Sequence, residues 1–284
     1  VTGADPQELA GWIGRTESVT DNVSTWPAVA LAAALDLDDL PGAGDALAPV
    51  WHWLYFLPTH KASELGYDGH AQLGGFLPPV PLPRRMWAGG RLVFERLLRI
   101  GENATRDSRI EDIAFKTGRS GSLAFVLVRH TIVGDQGARI IEEHDIVYRA
   151  APVEGALAPK SQPAPAQAQW AREINPDPAL LFRYSALTFN GHRIHYDRDF
   201  CQREGYPGLV VHGPLIATLL LDLLRRNALD TPVSSFTFKA VSPLFDIDRF
   251  SVHGRIDGAQ AMLWALNHRG ELAMQANAKL GLAA

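Results

Sequence analysis

The stretch from Pro214 to Asn227, PLIATLLLDLLRRN, limits the fold more than any other part of the chain, because it is apolar on almost every side. Proline at an early position and Arg225-Arg226 at the end are the start and stop chemistry of an α-helix. A helix that is apolar all round has to be buried. It does not read as a membrane span, since the wider region Leu209–Leu224 is interrupted by His212, Pro214 and Asp222, short of the roughly 18 uninterrupted apolar residues a span needs. What remains is to wrap it in other layers. Four runs rich in β-branched and aromatic residues follow it: Ser234–Ala240, Arg249–Ile256, Ala261–Asn267 and Glu271–Leu280, with turns at Asp246–Asp248, Asp257-Gly258 and Arg269-Gly270. One buried helix wrapped by an antiparallel sheet is an α+β arrangement.

The same pattern of runs occurs upstream, at Arg91–Ile100, Ala104–Lys116, Leu123–Ile132 and Ala138–Tyr148, with turns at Gly101-Glu102, Gly118–Gly121 and Gly134–Gly137. Setting Phe94-Glu95 against Phe238-Lys239 brings Ile110 close to Ile256, a hint of duplication. Between the two sets lies APVEGALAPKSQPAPAQAQ, Ala151–Gln169, where repeated Pro and Ala remove backbone donors and nothing recurs at helical or strand period. With 284 residues and about 150 per domain, the expected division is an N-terminal domain over 1–150, a linker over 151–168 and a C-terminal domain over 169–284. In the first domain the place before the strands is filled by Gly74–Gly90, whose four prolines forbid a long helix. The first half is therefore expected to lack its central helix. Trp51, Trp53 and Tyr55 alternate as on one face of a strand, which suits core or interdomain packing, or, as the bolder reading, a wall of the acyl pocket.

Lys and Arg total 27 against 31 Asp and Glu, a balance of −4, so no general field attracts nucleic acid or an acidic membrane. An anionic partner must be bound locally. The single cysteine, Cys201, excludes an intrachain disulfide and a cysteine-cluster metal site, and reads as a small buried residue. Val1–Gln7 lacks the basic start and apolar stretch of a signal peptide. A soluble protein of the cytoplasm is the expectation.

The densest polar cluster in apolar surroundings runs from Ser185 to Asp197 and contains Asn190, His192, Arg193 and His195. A second, Gly208–Pro214, falls at the start of the buried helix. Asn190 and His195 followed by Gly213 at a helix N-terminus combine a water-orienting amide, a titratable base and backbone N–H groups aimed at an anion. Those are the parts needed to add water to an unsaturated thioester.

The segments FRYSALTFNGHRIHYD (Phe182–Asp197) and YPGLVVHGPLIATLL (Tyr206–Leu220), with WHWLYFLP (Trp51–Pro58) and GGFLPPVPLPRRMWAGGRL (Gly74–Leu92), resemble the MaoC-like (R)-specific enoyl-CoA hydratases. Within that superfamily the chain is similar to the branch of mesaconyl-C4-CoA and itaconyl-CoA hydratases and mitochondrial-type 3-hydroxyacyl-thioester dehydratases. The resemblance implies a double hot-dog fold of two antiparallel sheets, with the central helix complete only in the C-terminal half. It implies a hydro-lyase, a C-terminal catalytic domain, and an N-terminal degenerate domain shaping the acyl pocket. The superfamily usually has Asp where this chain has Asn190, and the resembled branch carries Asn; an amide cannot take a proton, so base work falls to His195. By the same resemblance Gly213 offers its N–H to the thioester carbonyl, CoA is part of the substrate, and no metal or other cofactor is needed.

Other residues carry plainer readings beside the functional ones. His192, His195 and Asp197 are spaced as a metal site could be, but no third His or Cys stands at a usual spacing; His192 suits a supporting hydrogen bond in its loop. Arg193 can pair with Asp197 or Asp199, or with an anionic group of the ligand. Arg84 and Arg85 are candidates for CoA phosphates or a substrate carboxylate, beside the plainer reading of a solvated surface. Lys239 is open in the same way, and His212 either contacts the ligand or stabilises the Gly213 turn. The competing activities are dehydration of 3-hydroxyacyl chains on a carrier protein in fatty-acid synthesis, thioester hydrolysis, and acyl-CoA binding without catalysis. Two hot-dogs in one chain make a monomer viable, and a homodimer is the other expected state.

Overall fold

The computed structural model describes residues 6–118, 121–150, 161–165, 167–228 and 231–281. Ala151–Lys160 and Ala166, most of the expected linker, lie outside the described residues, as do Arg119 and Ser120 of the Gly118–Gly121 turn.

Before the linker come β1 (Thr16–Asn22), β2 (Arg84–Arg96), β3 (Asn103–Gly118), β4 (Gly121–Gly134) and β5 (Arg139–Arg149). After it come β6 (Trp170–Ile174), β7 (Val233–Ala240), β8 (Phe250–Asp257), β9 (Gln260–Leu266) and β10 (Leu272–Leu280). All pair antiparallel in one ten-stranded sheet of order β1-β3-β4-β5-β2-β7-β10-β9-β8-β6. That order is its own mirror when each strand of the first half is matched with the strand numbered five higher. The two five-stranded sheets of a double hot-dog thus meet at β2 and β7, where Leu92 faces Phe236 and Gly90 faces Phe238. Glycine is required at this seam, because a Cβ on Gly89 would lie 2.5 Å from the carbonyl oxygen of Phe238. All eight expected runs are strands; β2 starts earlier than expected, at Arg84, directly after Pro83, the last residue there without a backbone donor.

The helices are α1 (Pro6–Ala10), α2 (Thr25–Ala34), α3 (Pro178–Leu187), α4 (Arg198–Arg203) and α5 (Gly213–Asn227). The expected central helix is α5; every residue from Leu215 to Leu224 is buried, and it packs on β6, β8, β9 and β10. Its one buried charge, Asp222, accepts hydrogen bonds from Arg172 (2.6 Å), Arg225 (2.9 Å) and Arg226 (2.8 Å). These partners hold its carboxyl below the ordinary range against the opposing effect of burial. One apolar cluster runs from Leu219 and Leu220 of α5 through Phe236 to Leu92 and Ile140 in the first half.

Among the described residues the first half has no counterpart of α5: the chain between Glu64 and Arg84 holds no helix. Trp51 and its neighbours do not form the strand their alternation suggested. Trp51–Leu54 is a 3-10 turn, entered through Val50 in the left-handed region (φ 66°) and followed by Phe56 at φ 56°. Burial of Trp51, Leu54, Tyr55 and Phe56 replaces ladder bonding as the source of the pattern.

Candidate active site

The site is built where the end of α3 meets the start of α5. Asp177 caps α3 by accepting from the Leu180 N–H at 2.8 Å, with Pro178 in the first turn. At the other end the chain turns through Phe189 (φ 48°) and Asn190, whose N–H reaches the Ser185 carbonyl at 2.8 Å. Asn190 Oδ1 accepts from the His192 N–H at 3.0 Å, and a 3-10 turn, Arg193–His195, follows.

His195 is buried, and its Nδ1 lies 2.6 Å from the Val210 carbonyl oxygen. A carbonyl only accepts, so Nδ1 carries the proton and Nε2 is left with a lone pair. Burial pushes the ring down to about 4, with the Val210 bond opposing, and it is neutral at pH 7. His212 stacks beneath it with its Nε2 2.8 Å from Ser185 Oγ, while its own Nδ1 is buried without a partner. Burial holds this ring uncharged too.

Gly213 is the first residue of α5, and the cap residue His212 makes no side-chain bond to the helix end. The first intrahelical bond comes from Ile216 to the His212 carbonyl at 3.1 Å. The helix N–H groups ahead of it are open to a ligand, with the positive end of the dipole behind them.

A cavity of about 1500 Å³ brings Asn190, His192, His195, His212 and Gly213 together with Arg84 and Arg85 from β2. The other expected anion binders stand elsewhere. Arg193 does not line the cavity; its Nε and Nη2 bond Asp197 Oδ2 at 2.9 and 2.6 Å, and Asp197 also caps α4. Lys239 is exposed on β7 opposite Gly89 and does not line it either, because the period of two turns it away from the cavity face. Arg84 is held by Glu204 (Nη2 to Oε2, 3.2 Å) and by the Tyr206 ring. Arg85 has no carboxylate within ion-pair distance among the described residues. Cys201 is buried, donates to the Ile194 carbonyl, and burial raises its thiol above the ordinary value.

Beyond Arg84 and Arg85, sequence reasoning missed which residues the first half brings to the cavity. The loop Gly66–His70 crosses the Asn190–Arg193 loop so closely that a Cβ on Gly69 would lie 1.9 Å from the Gly191 carbonyl oxygen. The Arg193 N–H bonds the Asp68 carbonyl at 2.8 Å. This crossing delivers His70, whose Nδ1 is 3.0 Å from Asp68 Oδ2, and whose ring lies 4.0 Å from that of His192. Asp68, His70 and His192 also offer metal-ligand atoms within 4.8 Å of one another, but the rings pack against each other at a tilt of 40° and the carboxylate already holds His70 Nδ1. A second missed group is Trp87, with His144, Glu142 and His52 behind it; Trp53 and Tyr55, named from the sequence, line the same cavity and Trp51 does not. Asp68 and His70 stand two apart in sequence, a spacing whose meaning appears only with the Gly69–Gly191 crossing.

The family model described as hydroxyacyl-thioester dehydratase type 2 matches residues 50–246. Mesaconyl-C(4)-CoA hydratase of Chloroflexus aurantiacus is 49% identical over 275 residues, covering 95% of this chain and 97% of the relative. Among solved structures, a MaoC-like dehydratase from Phytophthora capsici aligns with a TM-score of 0.65 at 15% identity, over 99% of this chain and 100% of that one. A Mycobacterium tuberculosis protein described as having a double hotdog fold aligns with a TM-score of 0.58 at 13% identity, over 98% and 99%.

Proposed function

The chain belongs to the hydroxyacyl-thioester dehydratase type 2 family, and from that premise we propose that it adds water reversibly to a short 2-enoyl-CoA of the mesaconyl-C4-CoA kind. It is an enzyme of the hydro-lyase class. The observation that carries the mechanistic reading is the Nδ1 bond of His195 to the Val210 carbonyl, which leaves a buried, neutral imidazole with Nε2 as acceptor.

In this reading the thioester carbonyl accepts the Gly213 N–H, and the α5 dipole stabilises the enolate that forms. His195 Nε2 takes a proton from a water oriented by the Asn190 amide, the hydroxide oxygen bonds the β-carbon, and the same proton then passes to the α-carbon. Atoms and charge balance without a redox cofactor, and CoA enters and leaves as part of the substrate. Arg85, which lacks an acidic partner among the described residues, takes an anionic group of the ligand. A cytoplasmic location agrees with a single buried thiol; no helix among the described residues is long and apolar enough to cross a membrane. The one-chain pairing of two hot-dogs supports a monomer, or a homodimer of such units.

Incubation with mesaconyl-C4-CoA, itaconyl-CoA and straight-chain enoyl-CoAs, following the conjugated thioester absorbance and free thiol together, tests the proposal. Absorbance loss without thiol release is expected. Thiol release would mean a thioesterase, and neither signal a binding protein. The family description favours one further arm, 3-hydroxyacyl thioesters of CoA and of carrier protein, since dehydration is the same chemistry in reverse.

A further inference from the structure

The sheet face that α5 covers in the C-terminal half is apolar: Phe236, Ala278, Ala261 and Ile256 stand in one cross-strand row over β7, β10, β9 and β8, all packed in or against the cluster that encloses α5. The matching row of the first half, over β2, β5, β4 and β3, reads Leu92, Glu142, His130 and Ser108. Loss of the helix therefore coincides with a change from apolar to ionisable side chains. Glu142 and His130 line the cavity in place of a helix-packing face.

Glu142 is buried and accepts from His52 Nε2 at 2.8 Å, Trp53 Nε1 at 2.7 Å and His144 Nε2 at 2.5 Å. His52 and Trp53 come from the 3-10 turn and tie the carboxylate to the protein. His144 differs from them: its side chain is 19% exposed, and its Nδ1 makes no hydrogen bond among the described residues. Its ring packs on Trp87 at 3.9 Å, tilted by 33°, and meets that of His130 edge-on at 4.4 Å. The Trp87 carbonyl oxygen would lie 3.8 Å from a Cβ on Gly213. His144 thus packs on the residue whose carbonyl lies beside the amide assigned to the thioester oxygen, within reach of the acyl group in that reading. Behind His130, Arg106 adds positive charge to this wall, its Nε buried without a partner and its Nη2 3.5 Å from Glu17.

An alkyl chain lying here would cover His144 Nδ1 and return nothing for its lost hydration, whereas Glu142 and His130, the latter bonded to Ser108 Oγ at 2.8 Å, are already buried and partnered. A carboxylate on the acyl group would instead hydrogen-bond His144 Nδ1 while Glu142 holds the ring at Nε2. We infer that His144, oriented by Glu142, is the specificity-determining residue that hydrogen-bonds the carboxylate of a mesaconyl-type acyl group. This deepens the hydratase reading and rests on it for turnover, though not for binding.

Fumaryl-CoA and crotonyl-CoA differ only by carboxylate against methyl at the β-carbon, and form the test pair. The wild type is expected to favour fumaryl-CoA in kcat/KM, and His144→Phe, which keeps a ring against Trp87, to lower that preference by roughly 10- to 100-fold, the worth of one charge-assisted hydrogen bond. A merely structural role for His144 would lower both substrates together and leave their ratio intact, which overturns the inference. Calorimetry on the wild type with succinyl-CoA and butyryl-CoA needs neither a variant nor turnover: tighter succinyl-CoA binding by tenfold or more is expected, and equal binding overturns the subsite. Failure to hydrate either enoyl-CoA would defeat the hydratase reading, while the calorimetric pair still decides the subsite.

Discussion

His195 and His212 lie face to face, with ring centroids 3.6 Å apart and planes 17° from parallel. Two imidazolium ions cannot share that spacing in a buried place, so protonating His212 is opposed by His195 as well as by desolvation, while His195 is held down by desolvation with His70 adding to it. His195 is pushed down to about 4, whereas an unfolded histidine titrates near about 6.5. Between those values the unfolded chain holds a proton that the folded one does not. Stability therefore falls as pH drops through this window and is unaffected above it. The base is free over the same range, so kcat/KM for hydration is expected to stay level from neutral pH down to the acid limb near 4. A pH–rate profile with thermal melts at each pH checks this; an acid limb at the ordinary histidine value would contradict a buried base.

Removing His195 tests its role directly. A general base contributes about 10²–10⁴-fold, and His195→Ala is expected to lose that much in kcat with a normal melting temperature. Asn190 is expected to act by position, since its Oδ1 holds the His192 N–H at 3.0 Å and an aspartate oxygen would accept the same bond. Asn190→Asp should keep most activity and Asn190→Ala should not. Nearly normal turnover by His195→Ala would end the assignment.

The Gly69–Gly191 crossing predicts an asymmetric glycine effect. A methyl at Gly69 would overlap the Gly191 carbonyl and sit at φ 86°, so the loops must separate; left-handed strain alone costs about 1–3 kcal/mol. Gly69→Ala is expected to lower the melting temperature and reduce turnover by displacing both His70 and the Asn190–His195 loop. Gly75→Ala has open space around its Cβ and an unstrained backbone, and should do neither. Circular-dichroism melts and steady-state rates on the two variants make the comparison.

How much of this was legible in the residues depends on whether local pattern or tertiary contact set each feature. The offset that lays Phe94 on Phe238 also lays Leu92 on Phe236, and those two face each other across the seam of the halves; strand period and composition sufficed. The α5 helix was equally plain from its apolar run. By contrast β1, TESVTDN, is an exposed edge strand whose charged residues hide it. Helix α3 had a usable signal, Asp177 before Pro178, but it is short and weakly amphipathic. The polar row of Glu142, His130 and Ser108 was hidden because its residues lie in three separate strands. The spacing of Asn190, His195 and Gly213 could be read because two adjoining segments carry it; His70 and His144 reach the cavity only through folding.

Arg85 separates two kinds of anion binding. Of three arginines with candidate roles, Arg84 is committed to Glu204 and Arg193 to Asp197, which leaves Arg85 in the cavity wall on β2, beside Tyr148 of β5. If it holds a group common to every CoA thioester, its loss removes binding that is the same in the ground and transition states, raising KM with little change in kcat. Arg85→Gln is therefore expected to raise KM by roughly 10- to 100-fold for fumaryl-CoA and crotonyl-CoA alike, and to weaken free CoA binding by a similar factor in calorimetry. Arg84→Gln should instead lower the melting temperature by releasing Glu204. A KM increase confined to fumaryl-CoA after Arg85→Gln would move the acyl carboxylate from His144 to Arg85. The same two substrates that test the acyl subsite thus also decide which cation meets which anion.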